Sequence, residues 1–198
     1  TGTSTSANYQ VTVTPGNYEI TKKAVTVIAD NKTSVYGEEL KPLTITIPEG
    51  TLVGNDEEKD LSITLVKEDG TVVGNYDITG TSTSANYQVT VTPGNYEITK
   101  KAVTVIADNK TSVYGEELKA LTITIPEGTL VGNDEEKDLA VTLVKEDGTV
   151  VGNYDITGTS TAANYQVTVT PGNYEITRKA VTVIADNKTS VYGEELKP

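Results

Sequence analysis

The run Asn55-Asp56-Glu57-Glu58-Lys59-Asp60 gathers four carboxylates within five residues. A hard cation such as calcium takes about six to eight oxygen ligands, so Asp56, Glu57, Glu58 and Asp60 are calcium candidates, with Asp30, Glu38 and Glu39 as a second set. The run lacks an Asp-x-Asp-x-Asp-Gly spacing and carries Lys59 in its middle, which favours a solvated acidic loop. Tyrosine offers a second chemistry, because an aromatic face can stack on a sugar ring. Tyr9, Tyr18, Tyr76, Tyr87 and Tyr96 sit mostly in phase with Val and Ile, the pattern of core tyrosines whose hydroxyl reaches a partner at the edge. Tyr36 in SVYGEEL, and its equivalent Tyr114, lie in an irregular segment and are the ligand candidates. Hydrolysis by paired carboxylates needs an acid in an apolar cleft facing a second carboxylate. The acids here fall in loops or on the outward parity of strands, so no catalytic residue is assigned and no enzyme is expected.

Composition removes most other chemistry. The chain has no Cys, His, Met, Trp or Phe. Zinc and copper sites, thiol nucleophiles and imidazole bases cannot be built without Cys and His. Disulfides are excluded, and the lack of sulfur makes the chain inert to the common oxidative lesions. The net charge is −12, spread evenly with no basic stripe, so nucleic acid is not an expected partner. No apolar run approaches the roughly 18 residues of a membrane span, so no membrane insertion is expected. Asn31-Lys32-Thr33 fits the N-glycosylation pattern, a frequent chance match that matters only in a eukaryotic secreted chain.

The elements that would position these side chains repeat. Residues 23–100 and 101–178 differ at five places: Pro42/Ala120, Ser62/Ala140, Ile63/Val141, Ser84/Ala162 and Lys100/Arg178. Residues 1–22 match 79–100, and 179–198 match 23–42 apart from their numbering. The organisation is therefore read as the C-terminal part of one repeat (1–22), two full repeats of 78 residues (23–100 and 101–178) and the N-terminal part of another (179–198). A permuted frame of 1–78 and 79–156 is the alternative.

Within a copy, AVTVIAD (24–30), LTITIPE (43–49), DLSITLVKE (60–68), TVVGNYDITGT (71–81), ANYQVTVT (85–92) and NYEIT (95–99) read as strands by their alternation. NDEEKDL is the helical candidate, Asp69-Gly70 reads as a hairpin turn, and Pro93-Gly94 reads as a turn of the chain. Short strands with turn signals about every ten residues predict an all-β fold, as tandem small immunoglobulin-like β-sandwiches in an elongated rod. β-grasp-like repeats are the alternative. Gly74-Asn75-Tyr76-Asp77-Ile78 has the spacing of a tyrosine corner, which gives Tyr76 and Ile78, with Tyr154 and Ile156, a structural role.

The junction NYEITKKAVTVIAD changes parity at Lys100 and Lys101: Tyr96 and Ile98 before it are even, Val103 and Val105 after it odd. A slip of one turns the apolar face over. Lys100 and Lys101 are thus the expected passage from one core to the next, held without a Gly or Pro spacer, and neighbouring repeats are the expected partners.

The order AVTVIADNKTSVYGEEL, a turn-rich middle, then VGNYDITGTSTSANYQVTVTPGNYEIT resembles the MBG and YDG-type tandem repeats of large bacterial surface adhesins. The matching features are a first strand ending in Ala-Asp, the Tyr36-Gly37 pair, a Gly-x-Tyr-x-Ile strand, and an Asn-Tyr strand leading through Pro-Gly to Ile-Thr-Lys. The resemblance spans each copy, and the acidic NDEEKD loop departs from it. It implies a secreted protein of the bacterial cell surface, adhesive or associated with mucus, with no catalytic residues and no cofactor beyond the calcium considered above. The expected function is an adhesin stalk. The alternatives are avid binding of host mucin or glycan by each copy, and a self-associating filament.

Overall fold

In strand β1 (Lys23–Ala29) the side chains of Val25, Val27 and Ala29 are buried and those between them exposed, the period of two that a half-buried strand imposes. The structure, a computed structural model, describes residues 2–195. It divides into two units, 1–100 and 101–198, each containing one complete copy of the repeat.

In the first unit β1 is followed by β2 (Lys32–Val35), β3 (Ile45–Thr46), a 3₁₀ turn (Glu58–Leu61), β4 (Ile63–Lys67), β5 (Gly74–Ser82), β6 (Tyr87–Thr92) and β7 (Gly94–Thr99). Three strands form one sheet in the order β3-β1-β6, and four form another in the order β2-β7-β5-β4. The second unit repeats the arrangement from β8 (Lys101–Ala107) to β14 (Gly172–Thr177). The chain is all-β, as the alternation predicts.

The first and last long segments run parallel. β1 pairs with β6 from Lys23↔Tyr87 to Ile28↔Thr92, and β2 with β7 from Lys32↔Tyr96 to Val35↔Thr99. Both segments step from the three-stranded to the four-stranded sheet at one place, Asp30-Asn31 in the first and Pro93 in the last. Pro93 has no N–H to give a ladder, which suits it to the step. The backbone bond missing there is replaced by a side chain: Asn95 N–H donates to Asn31 Oδ1 at 2.8 Å.

Two small cores result. Val25, Val27, Leu61 and Tyr87 form one, and Ala29, Ile78, Tyr96 and Ile98 the other. Tyrosine serves both by placing its ring inside and its hydroxyl on a polar partner. Tyr87 Oη donates to Asp56 Oδ2 at 2.6 Å and accepts the Val53 N–H at 2.9 Å. Tyr96 Oη bonds Ser34 Oγ at 2.7 Å and accepts the Lys41 N–H at 2.6 Å.

Several elements differ from the expected ones for definable reasons. Pro93-Gly94 does not reverse the chain: β6 and β7 share a direction, each parallel to its half of the first segment. The segment NKTSV, expected as a connection, carries strand β2, because β7 offers it a parallel edge. LTITIPE gives only the two-residue β3, which pairs with the end of β1. DLSITLVKE is split by a left-handed residue, Ser62 at φ 47, after the 3₁₀ turn that NDEEKDL forms. Gly70 is not the centre of a two-residue turn. The connection runs over residues 68–73, and a Cβ on Gly70 would lie 2.0 Å from Tyr76 Cε1.

The left-handed position yields a test. Alanine at φ 43, as at Ala140, is strained by about 1–2 kcal/mol, and glycine relieves that at some entropic cost. Ala140→Gly is expected to stabilise its copy by about 0.5–1 kcal/mol in a urea titration. Ala102→Gly, on the exposed side of β8, should instead lose about 0.5–1 kcal/mol.

Candidate functional site

Tyr36 and Tyr114 stand at the turn that closes β2 and its counterpart. The Tyr36 N–H donates to the Thr99 carbonyl at 2.9 Å, and Glu38 N–H closes the turn on Val35 O at 3.0 Å. Gly37 takes φ 83, the left-handed value that excludes most side chains at this place in the turn. Tyr36 is half-buried against the second core, whereas Tyr114 is 48% exposed. Beside Tyr114 lies a shallow recess of about 280 Å³ lined by Val113, Gly115, Glu116, Leu118 and Thr149. It presents one aromatic face, aliphatic walls and one carboxylate, which suits weak contact with a neutral ligand and supplies no acid-base pair.

The acidic loop is organised for folding. Asp60 Oδ2 accepts the Glu57 N–H at 2.8 Å, half of a capping box that starts the 3₁₀ turn. Glu57 pairs with Lys59 at 2.9 Å, and Asp56 holds the Tyr87 hydroxyl. That bond, and then burial, raises the Tyr87 pKa above its ordinary 10.0. Asp56, Glu57 and Asp60 thus face separate partners, and among the described residues no three metal-ligating groups converge. Glu38 Oε2 accepts the Val35 N–H at 3.3 Å, within its own turn.

Asp30, the other calcium candidate, is instead a clasp on β3. Its carboxylate accepts the hydroxyls of Thr44 and, at 2.6 Å, Thr46, while Lys32 Nζ donates to Thr44 Oγ1 at 2.7 Å. The Thr44 bond, then the Thr46 bond, with a smaller contribution from Lys32, hold the Asp30 pKa below its ordinary 3.8 against the opposing effect of burial. Asp108 is lowered in the same way by Thr122 and Thr124. A depressed folded pKa means that the clasp contributes its full stability above the unfolded value and loses it as pH falls through the folded one. Acid titration of the melting temperature should therefore show a loss beginning below about pH 4, and Asp30→Asn with Asp108→Asn should flatten that limb.

Tyr76 and Tyr154 each bond the backbone through their hydroxyls. Tyr76 Oη donates to Val72 O at 2.8 Å and Tyr154 Oη to Val150 O at 2.9 Å, four residues upstream in each case. Ile78 and Ile156 are fully buried. What the sequence did not disclose is the ammonium of Lys67, which donates to Glu68 O and Gly70 O and lies 3.8 Å from the Tyr76 ring centroid. This cation-π contact closes the long connection that replaces the hairpin turn. The signal for it was a lysine on the inward parity of β4, in phase with Ile63 and Leu65. Lys100 falls between β7 and β8, and Lys101 opens β8.

No helix among the described residues is long and apolar enough to cross a membrane. No curated protein matches the chain. The MBG domain of YGX type matches residues 25–97 and again 103–175, with Tyr36-Gly37 and Tyr114-Gly115 inside the matched ranges. Two tandem matches cover most of the sequence, and the chain belongs to the MBG domain family of the YGX type.

Proposed function

We propose that the repeats form the structural stalk of a bacterial cell-surface adhesin, spacing an adhesive region from the cell, and that the chain is extracellular and not an enzyme. The observation that carries this reading is repetition without a spacer: near-identical MBG domains follow each other with Lys100 alone between β7 and β8. A spacer gains length from each added copy, which is what near-identical repeats supply. Within this reading the folding units are 23–100 and 101–178, and each is an immunoglobulin-like sandwich. The tyrosine hydroxyl bonded four residues upstream supports the sandwich over a β-grasp-like repeat. Neighbouring repeats are the partners. X-ray scattering from chains of two, four and six copies tests the stalk. The maximum dimension should grow in proportion to copy number, and values that stay compact would sink the proposal.

A second reading has one observation in its favour, the exposed Tyr114 beside its recess. Each copy would then engage host mucin or glycan weakly, with avidity from number. Mucin affinity that rises steeply with copy number and disappears in Tyr36→Ala with Tyr114→Ala supports it. No binding at any length leaves the spacer.

A further inference from the structure

The two ends of a copy belong to strands that pair in parallel, and this fixes how the fold meets a pulling force. Lys23 begins β1, beside Tyr87 at the start of β6; Thr99 ends β7, beside Val35 at the end of β2. A load on the two ends therefore draws the first segment backwards and the last forwards along their common direction. Six register pairs between β1 and β6 and four between β2 and β7 resist together. Had the terminal strands been antiparallel, both ends would lie at one edge and the pairs would open one after another.

The weak place in such a ladder is the step at Asp30-Asn31 and Pro93, where backbone pairing lapses. It is bridged by the Asn95 N–H to Asn31 Oδ1 bond at 2.8 Å. It is also pinned sterically, since Gly94 packs so closely on Ala29 that a Cβ there would lie 2.3 Å from Ala29 O. Further links hold the ends of the ladder: Lys23 N–H to Asn86 O at 2.9 Å, Tyr36 N–H to Thr99 O at 2.9 Å, and Ser34 Oγ with Tyr96 Oη at 2.7 Å. The same set recurs in the second copy, with Asn173 N–H on Asn109 Oδ1 at 2.8 Å and Ser112 Oγ with Tyr174 Oη at 2.6 Å.

We propose that the β1–β2 and β6–β7 pair is a mechanical clamp, loaded in shear, which makes each copy a force-bearing unit. The inference gives the stalk reading its purpose and rests on it for biological meaning, but the clamp is a property of one copy and is testable alone. Because the chain has no cysteine, introduced thiols give unique attachment points for single-molecule pulling. Handles at Lys22→Cys and Lys100→Cys in the full chain load the first copy end to end. That copy should rupture in one step and release about 220 Å, from an extended length of about 3.4 Å per residue less the folded span. Handles at Lys22→Cys and Asn86→Cys put both forces at the same end of the β1·β6 pair, and rupture should come at severalfold lower force. Asn31→Ala with end-to-end handles should lower the rupture force, and its urea midpoint reports whether the copy remains folded. Equal forces in the two pulling geometries, or end-to-end rupture as easy as same-end opening, would overturn the clamp. A weak copy in chains whose scattering length still grows with copy number removes the clamp and leaves the stalk. Strong copies in chains that stay compact do the reverse.

Discussion

Gly94→Ala together with Gly172→Ala is expected to lower the melting temperature of the chain by at least about 10 °C, from a cost of about 2–3 kcal/mol per copy. The added methyl of residue 94 would lie 2.3 Å from Ala29 O and 2.9 Å from Ala29 C, and that of residue 172 meets Ala107 at the same distances. These neighbours are backbone, so no rotamer change can make room. Relief requires the last segment to move away from the first where both cross between sheets, which loosens pairing on each side of the step. A domain of ordinary stability has about 5–15 kcal/mol in total, so the loss is a large share. Gly74→Ala is the control, because its nearest neighbour is the Tyr76 hydroxyl at 3.6 Å, an ordinary contact. Thermal unfolding followed by circular dichroism separates the two. If the Gly94 and Gly172 variant melts with the Gly74 variant, the close crossing of the two segments is wrong, and the clamp loses its steric pin.

The same glycine shows what was legible in the sequence. Pro93-Gly94 read as a turn because both residues are common in turns. Local preference cannot distinguish a reversal from a step between sheets, because the choice depends on Ala29, some 65 residues away in the chain. Alternation worked where one face of a strand is buried, as in AVTVIA and YQVTVT. It failed for NKTSV, whose polar composition hides a strand that exists only because β7 lies beside it. The chain itself makes this point. Residues 9–14 carry the YQVTVT of β6 and residues 180–185 the AVTVIA of β1, yet neither forms a strand outside a complete copy. Val183 is 89% exposed there, while Val27 and Val105 at the equivalent position are fully buried. In β1, β2, β6 and β7 strand identity is settled by a parallel partner distant in sequence, and local propensity only permits it.

Candidate sites were legible to a similar degree. The bond of Tyr76 is local, to Val72 O four residues upstream, and so lies within reach of a short sequence pattern. The acidic loop drew attention by charge, but three of its four carboxylates, Asp56, Glu57 and Asp60, are committed one by one to Tyr87, Lys59 and the Glu57 N–H. Asp30 was recognised as an acid worth noting, but its partners Thr44 and Thr46 lie some 15 residues on, at a strand whose alternation is legible while its pairing with the end of β1 is not.

The buried tyrosine of the second core carries the other large effect, and a graded series separates its two contributions. Tyr96 and Tyr174 are fully buried. Truncation to Ala removes the ring from contact with Ile78 and Ile98 and leaves a cavity, at a cost of about 3–5 kcal/mol. Phe keeps the ring but deletes the oxygen that joins Ser34 Oγ to the Lys41 N–H, leaving the buried Ser34 hydroxyl and the part-buried Lys41 N–H short of a partner at about 1–3 kcal/mol. Urea titrations of Tyr96→Phe and Tyr96→Ala, each paired with the Tyr174 change, should fall in that order. Ser34→Ala in the Tyr96→Phe background should then cost little more, since one bond cannot be lost twice. Full additivity of the two changes would mean that the hydroxyl pair contributes nothing across the β2–β7 boundary. Because Ser34 lies on the first segment and Tyr96 on the last, the coupling energy also measures how firmly a side-chain bond ties together the two strands on which any pulling force would act.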